Sequence, residues 1–367
     1  MTQRERFRAT LRFQEVDRPC HAEWGFFGDT IERWRREGLP SSVQDPTFEY
    51  ASPGHDLFRH FDIAKFGYAL PGMYYHPPFA PEVVEQGDTW RIERTVNGVL
   101  QKVSTVGMSM PQFLEYPVKD RRDYDRLRER LQPDAAARYP ADWDRIVASC
   151  RAQNHTPIGT HMDGFFGTPR EMMGLVPFLT TIADDPELVH RIVEDRADFY
   201  IALYEKAIRD LRPDFAFIWE DMCFKNGPLL SPAMFREFLL PPYRRLTRFL
   251  KDMGVDIIIV DSDGDVSQLI PLWIEGGVTC LLPFEVRAGM DVVAVGRRYP
   301  RLGLLGGIDK HEIAKGRQAI DAELARVLPP MVRRGGYVVA LDHWVPGYIG
   351  LADYTYYVER VREITSR

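Results

Sequence analysis

Residues 256–285 read DIIIVDSDGDVSQLIPLWIEGGVTCLLPFE, and this stretch decides the fold. An apolar run at 257–260 is followed by acidic residues and then by a helical pattern, and a second, mostly apolar run begins at 279. Apolar strands that alternate with helices are typical of a parallel sheet covered on its faces. The stretch therefore predicts a strand–helix–strand unit in which each strand ends in acidic side chains.

The same rhythm occurs six times after residue 156. The predicted strands are 157–162, 215–221, 256–263, 279–285, 302–309 and 337–343. Two earlier segments, CHAEWG at 20–25 and DIAKFGY at 62–68, raise the strand count to eight. Eight such units predict an α/β fold of the (β/α)8 TIM-barrel type, and one elaborated barrel spanning 1–367 as a single domain accommodates the chain.

Local signals place particular boundaries. Asp184 or Asp185 is expected to cap a long helix whose first turn holds Pro186, and Pro241 with Pro242 is expected to kink or split a later helix. Asn97-Gly98 lies between the β-type runs TWRIERT and VLQKVST. Asn-Gly between two such runs predicts a β-hairpin, here an insertion at about 88–106 that decorates the barrel.

Composition excludes several classes of protein. The net charge is −6, with 47 basic and 53 acidic residues and no dense basic stripe, so nucleic acid is not an expected partner. No apolar run approaches the ~18 residues of a membrane span, and the first residues, MTQRERFRATLRF, lack the apolar core of a secretory signal. The four cysteines lie far apart, which disfavours a disulfide scaffold or zinc ribbon and predicts a reduced, cytoplasmic setting.

Ionisable residues end all six late strands. They are His161 and Asp163, Glu220 and Asp221, Asp261 and Asp263, Glu285, Asp309, and Asp342 with His343. Because the carboxyl ends of parallel barrel strands converge on one face, these side chains predict an active site at the barrel mouth. The alternative is that such residues cap the following helices, which is most typical for Asp309 and Glu285.

A metal site is one interpretation of these strand ends. Asp261, Asp263 and His343 offer oxygen and nitrogen ligands to zinc or another divalent metal, or they bind a polar substrate directly. The run DSDGD resembles the start of a calcium loop, but Gly264 falls at its fourth position and Leu272 at its twelfth, which excludes an EF-hand.

Glu220 and Asp221 form a candidate acid–base pair, in which different surroundings separate the two pKa values. The alternative is that one residue faces inward and the other caps a helix, since neighbours on a strand point to opposite faces. The predicted substrate-binding residues are Glu23, Trp24, Asp163, Trp219 and Trp344; the tryptophans lie beside strand ends, where they wall an apolar substrate or pack in the core.

Several stretches resemble the uroporphyrinogen decarboxylase superfamily. They are RERFRATLRFQEVDRP, GTHMDGFFGTPREMMGL with DDPELVHRIVE, EDMCFKNGPLLSPAMFREFLLPPYRRL, VDSDGDVSQLIPLWIEGGVTCLLPFE and GGIDK. The resemblance covers nearly the whole chain and implies a (β/α)8 barrel that forms a homodimer. It also implies one of two chemistries: cofactor-free decarboxylation of a tetrapyrrole, or methyl transfer with corrinoid proteins, part of it zinc-dependent.

The chain departs from both patterns of the superfamily. The place of the arginine-rich stretch that grips tetrapyrrole carboxylates reads HAEWGFFGDT and contains no arginine, so uroporphyrinogen is not the expected substrate. Asp261-Ser262-Asp263 stands where thiol-activating methyltransferases carry His-x-Cys, and His343 stands near a further cysteine of theirs. Harder ligands of this kind suit oxygen or carboxylate substrates better than thiols.

The leading hypothesis is a methyltransferase that passes a methyl group from a small O- or N-methylated substrate to a separate corrinoid protein. Glu220, Asp261, Asp263 and His343 would be metal ligands or the general acid. The alternatives are a metal-free decarboxylase, in which Asp263 or His161 protonates the carbanion, and a non-catalytic binding barrel. The predicted catalytic residues are accordingly Glu220, Asp221, Asp263 and His161.

Overall fold

The centre of the molecule is a curled, seven-stranded parallel sheet. The structure is a computed structural model that describes residues 1–45, 55–106, 111–133 and 135–366. Its strands are β1 (Gly67–Tyr68), β2 (Glu82–Gln86), β3 (Trp90–Arg94), β4 (Leu100–Ser104), β5 (Gln112–Glu115), β6 (Ile158–Asp163), β7 (Phe215–Trp219), β8 (Cys223–Phe224), β9 (Gly227–Pro228), β10 (Ile258–Asp261), β11 (Cys280–Leu282), β12 (Gly303–Leu305) and β13 (Tyr337–Val338). The order in the parallel sheet is β1-β6-β7-β10-β11-β12-β13, so all six predicted late strands are present.

Helices separate the parallel strands along the chain. They are α1 (Gln3–Leu11), α2 (Gly28–Arg36), α3 (Leu57–His60), α4 (Arg121–Arg128), α5 (Trp143–Arg151), α6 (Gly167–Met173), α7 (Leu175–Asp184), α8 (Pro186–Leu211), α9 (Pro232–Met234), α10 (Leu240–Asp252), α11 (Ile270–Glu275), α12 (Val292–Arg298), α13 (Lys310–Ile313), α14 (Arg317–Arg334) and α15 (Leu351–Thr365). Asp185 caps α8 by accepting the Leu188 N–H, and Pro186 is its first residue, as expected. A π-helical turn precedes α10, whose first turn holds both prolines, so the helix changes type just before the prolines but is not split.

The two early strands are much shorter than predicted. The segment 20–25 contributes isolated parallel bridges, which pair His21 with Val339 and Ala22 with Ala64. The segment 62–68 forms only the two-residue β1, which pairs with β6. These bridges connect the β13 edge of the sheet to the β1 edge through residues 21–22, an arrangement consistent with the predicted barrel.

The predicted hairpin is part of a larger sheet. Its two strands are present as β3 and β4, but β2 and β5 flank them in a four-stranded antiparallel sheet with the order β2-β3-β4-β5. The prediction of an isolated hairpin at about 88–106 was therefore too short. The outer strands escaped prediction because their residues are largely exposed, although Gly87-Asp88 between β2 and β3 is a turn signal that could have indicated the additional strand.

Alternate residues of the parallel strands face the inside of the curled sheet. Phe215 and Phe217 of β7 belong to the inner apolar cluster, whereas Ala216 and Ile218 pack on the helix side. The inner cluster also receives Phe7 of α1, whose ring centroid lies 5.4 Å from that of Phe215. The end of the sheet opposite the predicted mouth is thus filled by aromatic side chains.

The four cysteines are buried and free. Among the described residues, no helix combines the length and the apolar character needed to cross a membrane.

Close packing inside the sheet predicts a strong effect for one glycine substitution. A Cβ atom at Gly159 of β6 would lie 2.4 Å from ring carbons of Phe215, whereas a Cβ atom at Gly28 would meet nothing within 4 Å. We expect Gly159→Ala to lower the free energy of unfolding by about 1–3 kcal/mol, because the filled interior must shift. Gly28→Ala is the matched control, and equal urea midpoints for the two variants would contradict the packing argument.

Candidate active site at the strand ends

Strand register decides which ionisable residues face the interior. Asp163 of β6 pairs with Trp219 of β7, and Trp219 pairs with Asp261 of β10. Trp219 follows the inward-facing Phe217 by two residues and therefore also faces inward. Its partners Asp163 and Asp261 face inward as well, at the carboxyl ends of their strands. His161, paired with Phe217, has the same parity. Glu220 has the opposite parity.

Five ionisable side chains form a cluster at these strand ends. Asp263, Glu285 and His343 offer ligand atoms that all lie within 4.8 Å of one another, and Asp221, Asp261 and Asp263 do the same. Asp263 belongs to both groups, and its Oδ2 lies 3.6 Å from Nε2 of His343. Of the predicted metal ligands, Asp263 lies close to both Asp261 and His343, but Asp261 and His343 belong to different groups. Asp221 and Glu285 complete the two groups. We call these five residues the acidic cluster.

Burial and mutual repulsion shift the pKa values in the acidic cluster. Burial, followed by the charges of Asp221 and Asp263, raises the pKa of Asp261 well above its ordinary value. Burial and the charge of Asp263 likewise raise the pKa of Asp221. For His343 burial acts downward, but the hydrogen bond and charge of Asp263 raise its pKa overall. Oxygen and imidazole donors gathered in this way fit a divalent cation, whose charge would offset the repulsion.

The backbone around the acidic cluster is tightly constrained. Asp221 has a φ of 47°, a left-handed conformation that is costly for a residue other than glycine, and Arg170 Nη1 donates to its carbonyl at 2.8 Å. A Cβ atom on Gly264 would lie 2.7 Å from the backbone of Cys223, and the Gly264 N–H donates to Glu285 at 3.0 Å. These contacts hold the loop after β10 against the short β8–β9 hairpin.

Two adjoining cavities lie beside the inward-facing strand ends. The first, the polar chamber, has a volume of about 360 Å³, and its lining includes His161, Asp163, Thr168, Glu171, Arg196 and Trp219. The second, the apolar chamber, has a volume of about 400 Å³, and its lining includes Glu23, Trp24, Phe66, Tyr68 and Trp344. His161 and Tyr74 line both chambers. The residues predicted to bind substrate thus surround this double cavity.

Glu220, for which the sequence predicts an acid–base role, accepts hydrogen bonds mainly from backbone in the structure. Its side chain is fully buried, and its carboxylate accepts the N–H groups of Phe165, Phe166 and Gly167 at 2.9–3.0 Å and the hydroxyl of Tyr243. Burial raises the pKa of Glu220, although these hydrogen bonds oppose the shift. The acceptor sites of Glu220 are occupied, and its side chain points to the outer, helix-covered face of the sheet. Glu220 therefore positions the start of α6 and does not face the mouth.

Other strand-end carboxylates also bind backbone. Glu23 is fully buried and accepts the Leu341 N–H at 3.1 Å, so it braces the loop after β13 at the edge of the apolar chamber. Asp309 caps α13, as its alternative interpretation predicted. Asp342 accepts the Val286 N–H at 2.9 Å and so fixes the loop that follows Glu285.

A family profile described as "Uroporphyrinogen decarboxylase (URO-D)" matches residues 98–364, which is more than half of the chain. The chain belongs to the uroporphyrinogen decarboxylase family. A curated uroporphyrinogen decarboxylase from Syntrophotalea carbinolica is 23% identical over 309 residues, or 79% of this chain and 85% of the relative. A solved methyltransferase from Methanosarcina mazei is 14% identical, with 99% of each chain covered and a TM-score of 0.61. At that identity the likeness supports a common fold.

Sequence reasoning missed two cavity residues of this family member that carry charge. Arg196 lies on α8 and Glu171 on α6, whereas the residues predicted from the sequence all lie at strand ends. The sequence does contain a signal for Arg196, because this charged residue falls between Val193 and Tyr200 on the apolar, buried face of a long amphipathic helix. A charged residue on an apolar helical face is rare and calls for a partner.

The role of Glu220 can be tested by stability. Glu220→Gln places an amide NH2 group where only acceptors fit, so we expect it to lower the free energy of unfolding by about 2–4 kcal/mol. Tyr243→Phe removes one of the four donors and should cost less, about 1–2 kcal/mol. Urea unfolding measures both, and the exposed Glu359→Gln is the matched control. A stable but inactive Glu220→Gln protein would instead restore Glu220 as a catalytic candidate.

Proposed function

We propose that this protein transfers a methyl group from a small O- or N-methylated substrate to a separate corrinoid protein. The single observation that carries the proposal is the acidic cluster, which gathers hard oxygen and nitrogen donors at the strand ends of a uroporphyrinogen decarboxylase family chain. We further propose a closed eight-stranded barrel and a homodimer, as the family resemblance implies. The strand count favours a single domain over 1–367, and the sparse cysteines favour a cytoplasmic setting.

The residues present fit a divalent metal. Either Asp263 with Glu285 and His343, or Asp263 with Asp221 and Asp261, would hold it. When bound, such a cation supplies a Lewis-acidic centre for the substrate oxygen or nitrogen. The inward-facing chambers would bind the rest of the substrate, and aromatic walls such as Trp24 and Trp344 would exclude water from it.

The reaction balances without an added oxidant or reductant. The bond between the methyl carbon and the substrate oxygen or nitrogen breaks, and the heteroatom keeps the electron pair and takes up a proton. Co(I) of the partner's corrinoid provides two electrons for the new cobalt–carbon bond and becomes Co(III). The chain therefore needs an opening wide enough for a partner protein at the strand ends, where the double cavity lies.

Decarboxylation is the second candidate, and the curated relative favours it. In that reaction the carbon–carboxylate bond breaks, CO2 leaves, and the carbanion takes up a proton. His161 and Asp163 face the polar chamber, where such a proton would be needed. This reaction would need no metal, so chelation distinguishes the two candidates.

Metal content is the first test. We expect about one divalent ion per chain in tag-free wild-type protein after incubation with zinc or manganese, measured by plasma mass spectrometry. Asp263→Ala/His343→Ala should lose at least nine-tenths of it, because Asp263 belongs to both ligand groups. Asp88→Ala, an exposed acid on the antiparallel sheet, should retain it. Equal metal content in the double variant and the wild type would refute the site.

Methyl transfer is the second test. With a cob(I)alamin-loaded corrinoid protein and a panel of methyl ethers and methylated amines, we expect the absorbance of methylcobalamin to appear with wild type and with Asp88→Ala. The double variant should be at least a hundredfold slower, since a metal site contributes several kcal/mol to such reactions. No methylcobalamin across the panel, together with chelator-resistant CO2 release from carboxylic acids, would establish decarboxylation instead.

A further inference from the structure

The strongest unassigned feature is the guanidinium of Arg196 in the polar chamber. Arg196 lies on the buried stripe of α8 and is only 4% exposed. An arginine stays charged in proteins, and burying its charge is costly unless acceptors satisfy its donors. Burial lowers the pKa of Arg196, but neighbouring Tyr200 and Asp163 outweigh it and raise the pKa overall.

One of these donors has no acceptor in the part of the protein that the structure describes. Nε of Arg196 is buried and has no hydrogen-bond partner among the described residues. Its nearest carboxylate oxygen, Oδ2 of Asp163, lies 3.7 Å from Nη2, which is an ion-pair distance but too long for a hydrogen bond. The guanidinium carbon instead lies 4.4 Å from the ring centroid of Tyr200. The buried Oγ1 of Thr168, in the same chamber, also lacks a partner in the described chain.

The charges around Arg196 are already balanced, so what the chamber lacks is hydrogen-bond acceptors. Asp163 offsets the charge of Arg196, and Arg170 lies 3.8 Å from Glu171 and offsets it. Burial lowers the pKa of His161, which keeps its imidazole neutral at pH 7. A ligand carboxylate would supply two acceptors in the planar geometry that matches a guanidinium.

The apolar chamber defines the rest of the ligand. It adjoins the polar chamber at His161 and Tyr74, and its walls include Trp24 and Phe66. About 400 Å³ of mostly apolar space accommodates a ring-sized body. Trp344, also in its lining, directly follows His343 of the acidic cluster. The apolar chamber therefore lies beside the loop that carries His343.

We propose that Arg196 is the receptor for a substrate carboxylate, with Thr168 as a second donor. The substrate class is then a methylated monocarboxylate with an apolar, ring-sized body. This inference rests on the proposed methyl transfer for its methyl group, but the carboxylate receptor itself does not. The proposed anion-binding arginine therefore lies on α8. The segment HAEWGFFGDT, at the place of the arginine-rich stretch that grips tetrapyrrole carboxylates, contains no arginine.

Calorimetric titration with three matched probes tests the receptor. 4-Methoxybenzoate carries the carboxylate, methoxybenzene lacks it, and 4-methoxybenzylamine carries a positive charge in its place. We expect wild type to bind the acid at least tenfold more tightly than either of the others. Arg196→Met should abolish that preference and leave the affinity for methoxybenzene unchanged, which also shows that the variant is folded.

The control is Arg209→Met, an exposed arginine on the same helix that pairs with Glu205 and should leave all three affinities unchanged. Should Arg196→Met not fold, Thr168→Val provides the second variant, and a three- to tenfold loss for the acid alone is expected. Tighter binding of the amine, no binding of the acid at millimolar concentration, or full retention of the preference in Arg196→Met would each overturn the receptor.

The titration needs no corrinoid, so its outcome is separable from that of the methyl-transfer assay. Carboxylate-dependent binding without methylcobalamin formation would retain the receptor and refute the proposed function. Methyl transfer from neutral donors only, with no preference for the acid, would retain the proposed function and refute the receptor.

Discussion

The in-register pairing of parallel strands is the constraint on which the site depends. Pairing of Asp163 with Trp219, and of Trp219 with Asp261, aligns three inward-facing side chains across three neighbouring strands. A shift of one residue would turn each of them toward the helices and bring their neighbours inward. The tightly filled interior opposes such a shift, since the ring of Phe215 occupies the space that glycine leaves at position 159.

Two groups of carboxylates follow from this register. In the acidic cluster the pKa values of Asp221, Asp261 and Glu285 are raised, and the carboxylates lie close enough together to repel one another, as in binding sites for cations. Glu220, Glu23 and Asp342 instead accept backbone N–H groups of loops that follow other strands. The second group stabilises the loops, and the loops in turn hold the first group in place.

The acidic cluster and Arg196 would need opposite charges from what they bind. The acidic cluster concentrates negative charge, which a bound cation would offset, whereas Nε of Arg196 lacks, among the described residues, the acceptor that a ligand carboxylate would supply. Under the proposed roles, a carboxylate bound at Arg196 and a metal bound by the acidic cluster would together fix the orientation of a small substrate. Such orientation lowers the entropic part of a reaction barrier.

The amino-acid sequence alone determined the succession of six late strands, the cap and prolines of α8 and α10, and the ionisable residues at the strand ends. These follow from local patterns, because apolar runs, caps and turns involve residues that are near one another in the chain. Tertiary structure alone decided that Asp261 faces the mouth while Glu220 does not, because a single residue of register sets the facing side. It also decided that Arg196 meets Asp163, which lies 33 positions earlier on another element, since such a contact has no signature in local periodicity.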